Sequence, residues 1–233
     1  MTIPAIAPYP MPSAPVANRV DWLPDPKRAI FLIHDMQAYF LDKYDLTQSP
    51  VVPLVDTIAR LRAQCDALGV PVYYTAQPVD QPPGDRALLN DFWGPGLTAP
   101  EQHARQPIID ALAPRPGDTV LTKWRYSAFQ RSDLRERMRD TGRDQIIICG
   151  IYAHIGCMAT ALEAFMQDVQ PFFVIDGVAD FSAAEHDMAV NYVARRCGVS
   201  LTAQAVSQAL DAHGSAVAAP VQSSEADEVS RGH

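Results

Sequence analysis

From Arg28 onward the sequence alternates short apolar runs with longer amphipathic stretches, which limits the chain to a fold built from repeated β-α units. Six runs have strand length, at residues 29–34, 71–75, 119–123, 145–150, 172–175 and, more weakly, 199–201. They are rich in Ile, Val and Leu without polar alternation, as expected of strands covered on both faces of a parallel sheet. Between the first two, Leu54, Ile58, Leu61, Cys65 and Leu68 recur at steps of four, three, four and three, which predicts a helix stopped by Gly69. Asp133, with Glu136 three residues on, predicts a capped helix that carries Leu134 and Met138 and ends at Gly142. Two further helices are expected near residues 155–167 and 183–195. The expected fold is therefore α/β: a three-layer, Rossmann-like domain over residues 28–212, with a six-stranded, mainly parallel sheet flanked by helices.

The flanks read differently. Residues 1–27 carry Pro4, Pro8, Pro10, Pro12 and Pro15, each of which fixes φ and removes a backbone donor, so an extended arm over the surface is expected, pinned by Trp22 and Leu23. No basic cluster precedes an apolar stretch there, which is unlike a signal peptide, and no run approaches the roughly 18–20 apolar residues of a membrane span. Residues 213–233 are dominated by Ala, Ser, Glu and Asp and are expected to be a disordered tail. A hydrophobic content of 48% allows one sizeable core, and a net charge of −8 provides no global field for a polyanion, which argues against nucleic acid as a partner. Cys65, Cys149, Cys157 and Cys197 form no C-x-x-C pair and are expected to be reduced thiols in a cytoplasmic protein. Residues 78–106 form the one long irregular connection, where function is expected to concentrate.

In an open α/β sheet the ligand lies beyond the carboxyl ends of the strands. Strand one ends in His34-Asp35-Met36-Gln37, strand two in Thr75-Ala76-Gln77, strand three in Lys123-Trp124-Arg125, and strand four in the turn from Gly150 to Cys157. A lysine and an aspartate at one sheet edge suggest a buried pair, because buried charges are tolerated mainly when partnered. Taken alone, Asp35 could instead cap the following segment, and Gln77, Arg86 and Trp93 could be ordinary loop residues.

These strings resemble the isochorismatases of the cysteine-hydrolase-like superfamily. The resemblance rests on LIHDMQ at 32–37, YYTAQP at 73–78, LLNDFWGPG at 88–96, KWRYSAF at 123–129 and GIYAHIGC at 150–157. It implies hydrolysis of the vinyl ether of isochorismate to pyruvate and 2,3-dihydro-2,3-dihydroxybenzoate, or the same chemistry on 2-amino-2-deoxyisochorismate. Asp35 is implied as the acid that protonates the enol-ether methylene, Lys123 as the group that orients it and holds a substrate carboxylate, and Gln77, Arg86, Trp93 and Tyr152 as the binding shell. Tyr39 and Phe40 are implied as an apolar wall. Gly156 stands where the wider superfamily has a nucleophilic cysteine; it is expected to leave room for the pyruvyl arm and to expose a helix-start amide. Cys157 comes one residue late, about 100° round a helix from that position.

A nicotinamidase-like amidase using Cys157 and a non-catalytic binding module are the other readings. No metal or cofactor is implied, and His34, His154 and His186 are expected to be hydrogen-bonded core or rim residues. The resemblance also implies a homodimer with the proline-rich arm at its interface. Many siderophore-pathway relatives continue into an aryl carrier domain, and the missing Asp-Ser dipeptide here leads us to expect a stand-alone hydrolase, with a separate aryl carrier protein as a candidate partner.

Overall fold

The computed structural model describes residues 3–215. Its strands are β1 (Ala29–His34), β2 (Val72–Ala76), β3 (Thr119–Thr122), β4 (Gln145–Ile151), β5 (Gln170–Ala179) and β6 (Val199–Leu201). They form one sheet in the order β3-β2-β1-β4-β5-β6, and every neighbouring pair is parallel. The helices are α1 (Ala38–Leu41), α2 (Val51–Ala67), α3 (Pro83–Arg86), α4 (Leu89–Trp93), α5 (Leu134–Asp140), α6 (Met158–Met166), α7 (Ala183–Arg196) and α8 (Ala203–Ser215). Among the described residues no helix is long and apolar enough to cross a membrane.

The missing polar alternation in the strands now has its cause. Phe31, Ile33, Ile147, Phe172 and Val174 point to one face and pack with α2 and α8, while Ile30, Leu32, Ile146, Ile148 and Phe173 point to the other and pack with α5, α6 and α7. Both faces are covered, so consecutive strand residues are buried. The chain winds outward from β1 to β3 on one side and from β4 to β6 on the other, so the order reverses between β1 and β4. His34 pairs with Gly150 there, which brings the segments that follow both strands to a single crevice.

Several local expectations need correction. The strand expected at 172–175 runs on to Ala179, because a register shift between Ile148 and Gly150 lets Val178 and Ala179 pair with Gly150 and Ile151 past the polar Asp176. The helix expected at 155–167 is divided into a π-helical turn at Ala153–Cys157 and α6. Asp133 does not cap α5; its carboxylate accepts from Arg137 Nε 2.8 Å away, one turn further on. Gly69, at φ +67°, does terminate α2. Helix α8 was not anticipated, and residues 216–233 of the expected tail lie outside the described residues.

The N-terminal residues described, 3–25, form no helix or strand and are more than a surface strap. Ile3, Ile6 and Tyr9 are buried. The Tyr9 hydroxyl accepts from the Asp180 amide at 2.7 Å and lies 3.1 Å from His186 Nδ1. Trp22 packs against the core, whereas the Leu23 side chain is 54% exposed and Leu23 is held by its main chain, whose carbonyl accepts from Gln145 Nε2 at 3.2 Å.

Candidate active site

Asp35 follows β1 at φ +51°, a left-handed conformation that aspartate tolerates better than most residues and that turns the chain away from the sheet. Its amide donates to Thr75 Oγ1 at 3.1 Å, and the Thr75 hydroxyl donates to Asp35 Oδ1 at 2.5 Å. Lys123, one residue beyond β3, donates from Nζ to Oδ2 at 2.7 Å. Both partners are buried, at 6% and 4% exposure. Burial alone would push the carboxyl up, but the Lys123 ammonium and the hydrogen bonds from Lys123 and Thr75 hold it below the usual carboxylate range. The free site therefore holds a carboxylate.

His34, the last residue of β1, is fully buried beside this pair. Its Nδ1 is 2.9 Å from the Ile151 carbonyl and 3.6 Å from Asp35 Oδ2, and its Nε2 is 3.3 Å from the Tyr126 carbonyl. Burial, then the nearby Lys123 charge, pushes the imidazole down to about 4, so the ring is neutral at pH 7.

The nine residues singled out from the sequence all line one cleft of about 560 Å³, counted to its open mouth. That is within the range of small-molecule sites. Asp35 and Lys123 form an ion pair in the cleft, and Gly156, Gln77, Arg86 and the aromatic Trp93 share its lining. Gln77 is held by its main chain, since Gln37 Oε1 accepts from its amide at 2.7 Å and Gln37 Nε2 donates to its carbonyl at 3.0 Å. Arg86 is 4% exposed and donates from Nε to the Gly94 carbonyl at 2.8 Å. Among the described residues no carboxylate lies within 4.0 Å of it. A buried guanidinium in that state is a ready receptor for an anionic ligand.

Two expected roles change. The Tyr152 hydroxyl donates to the Phe40 carbonyl at 3.0 Å, so it is already committed and Tyr152 offers the cleft its ring. Gly156 does not face open space on its side-chain side: a Cβ there would come within 2.2 Å of His34 Cε1. The missing side chain makes room for His34, while the main chain of Gly156 borders the cleft. Cys157 is fully buried in the apolar cluster that includes Leu32, Ile148 and Ala161, and burial pushes its thiol well up. It neither reaches the cleft nor ionises at neutral pH.

The sequence reading placed Arg125 at the end of strand three without giving it a role and missed Tyr126 and Phe181; all three line the cleft. Trp93 Nε1 donates to the Tyr126 hydroxyl at 2.9 Å, and the Phe181 ring lies edge-on to Tyr152 at 4.5 Å. Arg125 and Tyr126 lie within the KWRYSAF string and could have been taken from it. Phe181 was hidden because it follows the unforeseen end of β5. Ile3 of the arm also lines the cleft, and nothing in its own sequence context signals that.

The three histidines singled out from the sequence, His34, His154 and His186, are all hydrogen-bonded. His154 Nδ1 is 2.6 Å from Asp180 Oδ1, and its amide donates to Oδ2. Burial pushes His154 down, but the Asp180 hydrogen bond and charge outweigh it and leave the ring above its usual value. His186 Nε2 is 2.9 Å from the Ile175 carbonyl, which leaves Nδ1 to accept from Tyr9.

Residues 29–205 match the protein family described as the isochorismatase domain. This chain belongs to the isochorismatase family. Among its relatives, the isochorismatase of Bacillus subtilis is 57% identical over 203 residues, which is 86% of this chain and 64% of that protein. Enterobactin synthase component B of Escherichia coli K12 is 51% identical over 85% of this chain and 70% of its own length. The phenazine biosynthesis protein PhzD1 of Pseudomonas aeruginosa is 48% identical over 88% of this chain and 98% of its own. The chain thus spans about two thirds of the first two relatives and nearly all of the third. A solved isochorismatase family protein from Burkholderia thailandensis superposes with a TM-score of 0.69 at 27% identity, covering 81% of this chain and 98% of that one. A cysteine hydrolase from Pseudomonas syringae shares the fold, with a TM-score of 0.76 at 23% identity over 83% of this chain and 97% of that one.

Proposed function

We propose that this isochorismatase family member hydrolyses the vinyl ether of isochorismate to pyruvate and 2,3-dihydro-2,3-dihydroxybenzoate. The observation that carries the reading is a buried Asp35–Lys123 pair in a cleft also lined by Arg86 and Arg125, neither with a carboxylate partner among the described residues. Such a cleft suits a small dianion. It also lacks a nucleophile at residue 156, so acid catalysis is the chemistry left to it.

The steps follow from the charges. In the free enzyme Asp35 is ionised, so it cannot donate. Two substrate carboxylates entering the cleft offset Lys123 and the arginines, and exclusion of water then raises Asp35 until it takes up a proton. Asp35 transfers that proton to the terminal methylene carbon, leaving an oxocarbenium ion at the ether carbon. Water adds to that carbon and returns a proton to Asp35, and the hemiketal collapses to pyruvate and the ring alcohol. Lys123 and Arg86 hold carboxylates throughout, while Trp93, Phe40 and Phe181 exclude bulk water.

The experiment couples pyruvate release to lactate dehydrogenase for wild type and Asp35→Ala. Wild type is expected to turn over isochorismate, and the variant to lose at least about 10²-fold in kcat. Release of pyruvate at equal rates by both would remove Asp35 as the acid, and none from either would favour a binding module. A second reading, the same chemistry on 2-amino-2-deoxyisochorismate, is favoured by the near-complete coverage of the phenazine biosynthesis relative. Offering both compounds to the same enzyme decides between them by kcat/KM. A cytoplasmic location, a homodimer and a separate aryl carrier protein are further proposals that rest on resemblance to the family.

A further inference from the structure

We propose that His34 sets the reaction class of this site by occupying the space that a side chain at residue 156 would need. A Cβ built on Gly156 would lie 2.2 Å from His34 Cε1, 2.9 Å from Nε2 and 3.1 Å from Nδ1. Contacts that short are overlap rather than tight packing, so one group must move.

The imidazole has nowhere to go. It is fully buried at the end of β1, and that strand is bracketed by β2 and β4. Its two nitrogens face the Ile151 and Tyr126 carbonyls, so rotating the ring breaks both contacts and disturbs Asp35, 3.6 Å away. Nor does the next residue supply a thiol, because Cys157 is fully buried in the apolar cluster of Leu32, Ile148 and Ala161 and does not line the cleft. The space beside the Asp35–Lys123 pair therefore holds either an inert ring or a residue-156 side chain, and never both. With the ring in place the pair works without a nucleophile; with the ring gone, a thiol at 156 would stand next to an acid and an ammonium. This division of space holds whichever substrate the cleft accepts, so its test uses no substrate.

The experiment compares wild type, Gly156→Cys, His34→Val and the double variant by thermal midpoint and by iodoacetamide labelling of the folded proteins. Valine suits a strand position and lacks the ring. Gly156→Cys is expected to lower the midpoint by about 5 °C or more beside His34, and by no more than about 2 °C beside the His34→Val substitution. In the double variant the introduced sulfur should form a bond to the methylene carbon of iodoacetamide as iodide leaves with the C–I electron pair and the thiol proton passes to solvent. Labelling at 156 should run at least tenfold faster there than in the Gly156→Cys single variant, against a low background from the four buried native cysteines. Equal midpoint losses in the two backgrounds, or equally rapid labelling in the single variant, would overturn the proposal. Gly156→Ala and His34→Asn, which add only a methyl group and keep a hydrogen-bonding side chain, repeat the midpoint comparison should either larger change prevent folding. Additive losses in that second set would overturn it as well.

Discussion

In the proposed reaction Asp35 is the acid because opposing forces act on one carboxyl group. Burial favours its neutral form, while Lys123 and Thr75 favour the ion and prevail in the free enzyme. A dianionic ligand that satisfies Lys123 should reverse that balance. Binding of a non-hydrolysable dicarboxylate analogue is therefore expected to take up about one proton per site near pH 7. Calorimetry in buffers of different ionisation enthalpy measures that uptake, and Asp35→Asn should abolish it while the analogue still binds. Unchanged uptake in the variant would mean that another group receives the proton. Much of this site was legible in the sequence, because strand ends in an α/β fold are where polar residues must be explained, and Asp35 and Lys123 each close an apolar run. The role of His34 was not legible. Its defining contact is with Gly156, far away in the chain, and a histidine inside an apolar strand carries no mark of what its ring displaces.

Elements were readable where one physical signal dominated and misread where two competed. The apolar runs of β1 and β4 are covered on both faces, and their limits come almost directly from hydrophobicity. β5 continues through Asp176 and Gly177, whose polarity and flexibility look like an ending; its continuation depends on a register shift against β4 that only the assembled sheet reveals. Phe181, placed at the cleft by that continuation, was lost with it. Proline content points to an arm without helix or strand, yet conceals that Ile3, Ile6 and Tyr9 are internal packing residues. The Tyr9 hydroxyl satisfies the amide of Asp180, a fully buried residue whose carboxylate orients the turn after β4. Tyr9→Phe keeps the ring but strands that amide, and should cost about 1–3 kcal/mol in urea unfolding. A variant as stable as wild type would show that the arm's contribution is apolar burial alone.

At the scale of the whole molecule, the pH dependence of stability follows from shifts of opposite direction. The depressed Asp35 contributes stability that is present above its unfolded value and is lost as pH falls through its folded value. The raised His154 contributes stability that is complete below its unfolded value, near 6.5, and is lost as pH rises through its folded value. The lowered His34 and His186 act in the opposite sense, adding stability as pH rises through their unfolded value, so the His154 effect is read as a difference. The urea midpoint of wild type minus that of His154→Gln should fall between pH 6 and pH 9, and a constant difference would show that His154 contributes none of the pH dependence. The cleft itself has a further consequence for turnover. In a chain of net charge −8, it gathers Arg86, Lys123 and Arg125 around the single carboxylate of Asp35. In the proposed reaction a dianion enters and two monoanions leave, so each product keeps only part of the Coulombic attraction that captured the substrate. Cutting the ether bond thereby loosens the grip on both fragments, and the hydrolysis clears the cleft for the next molecule without any moving part.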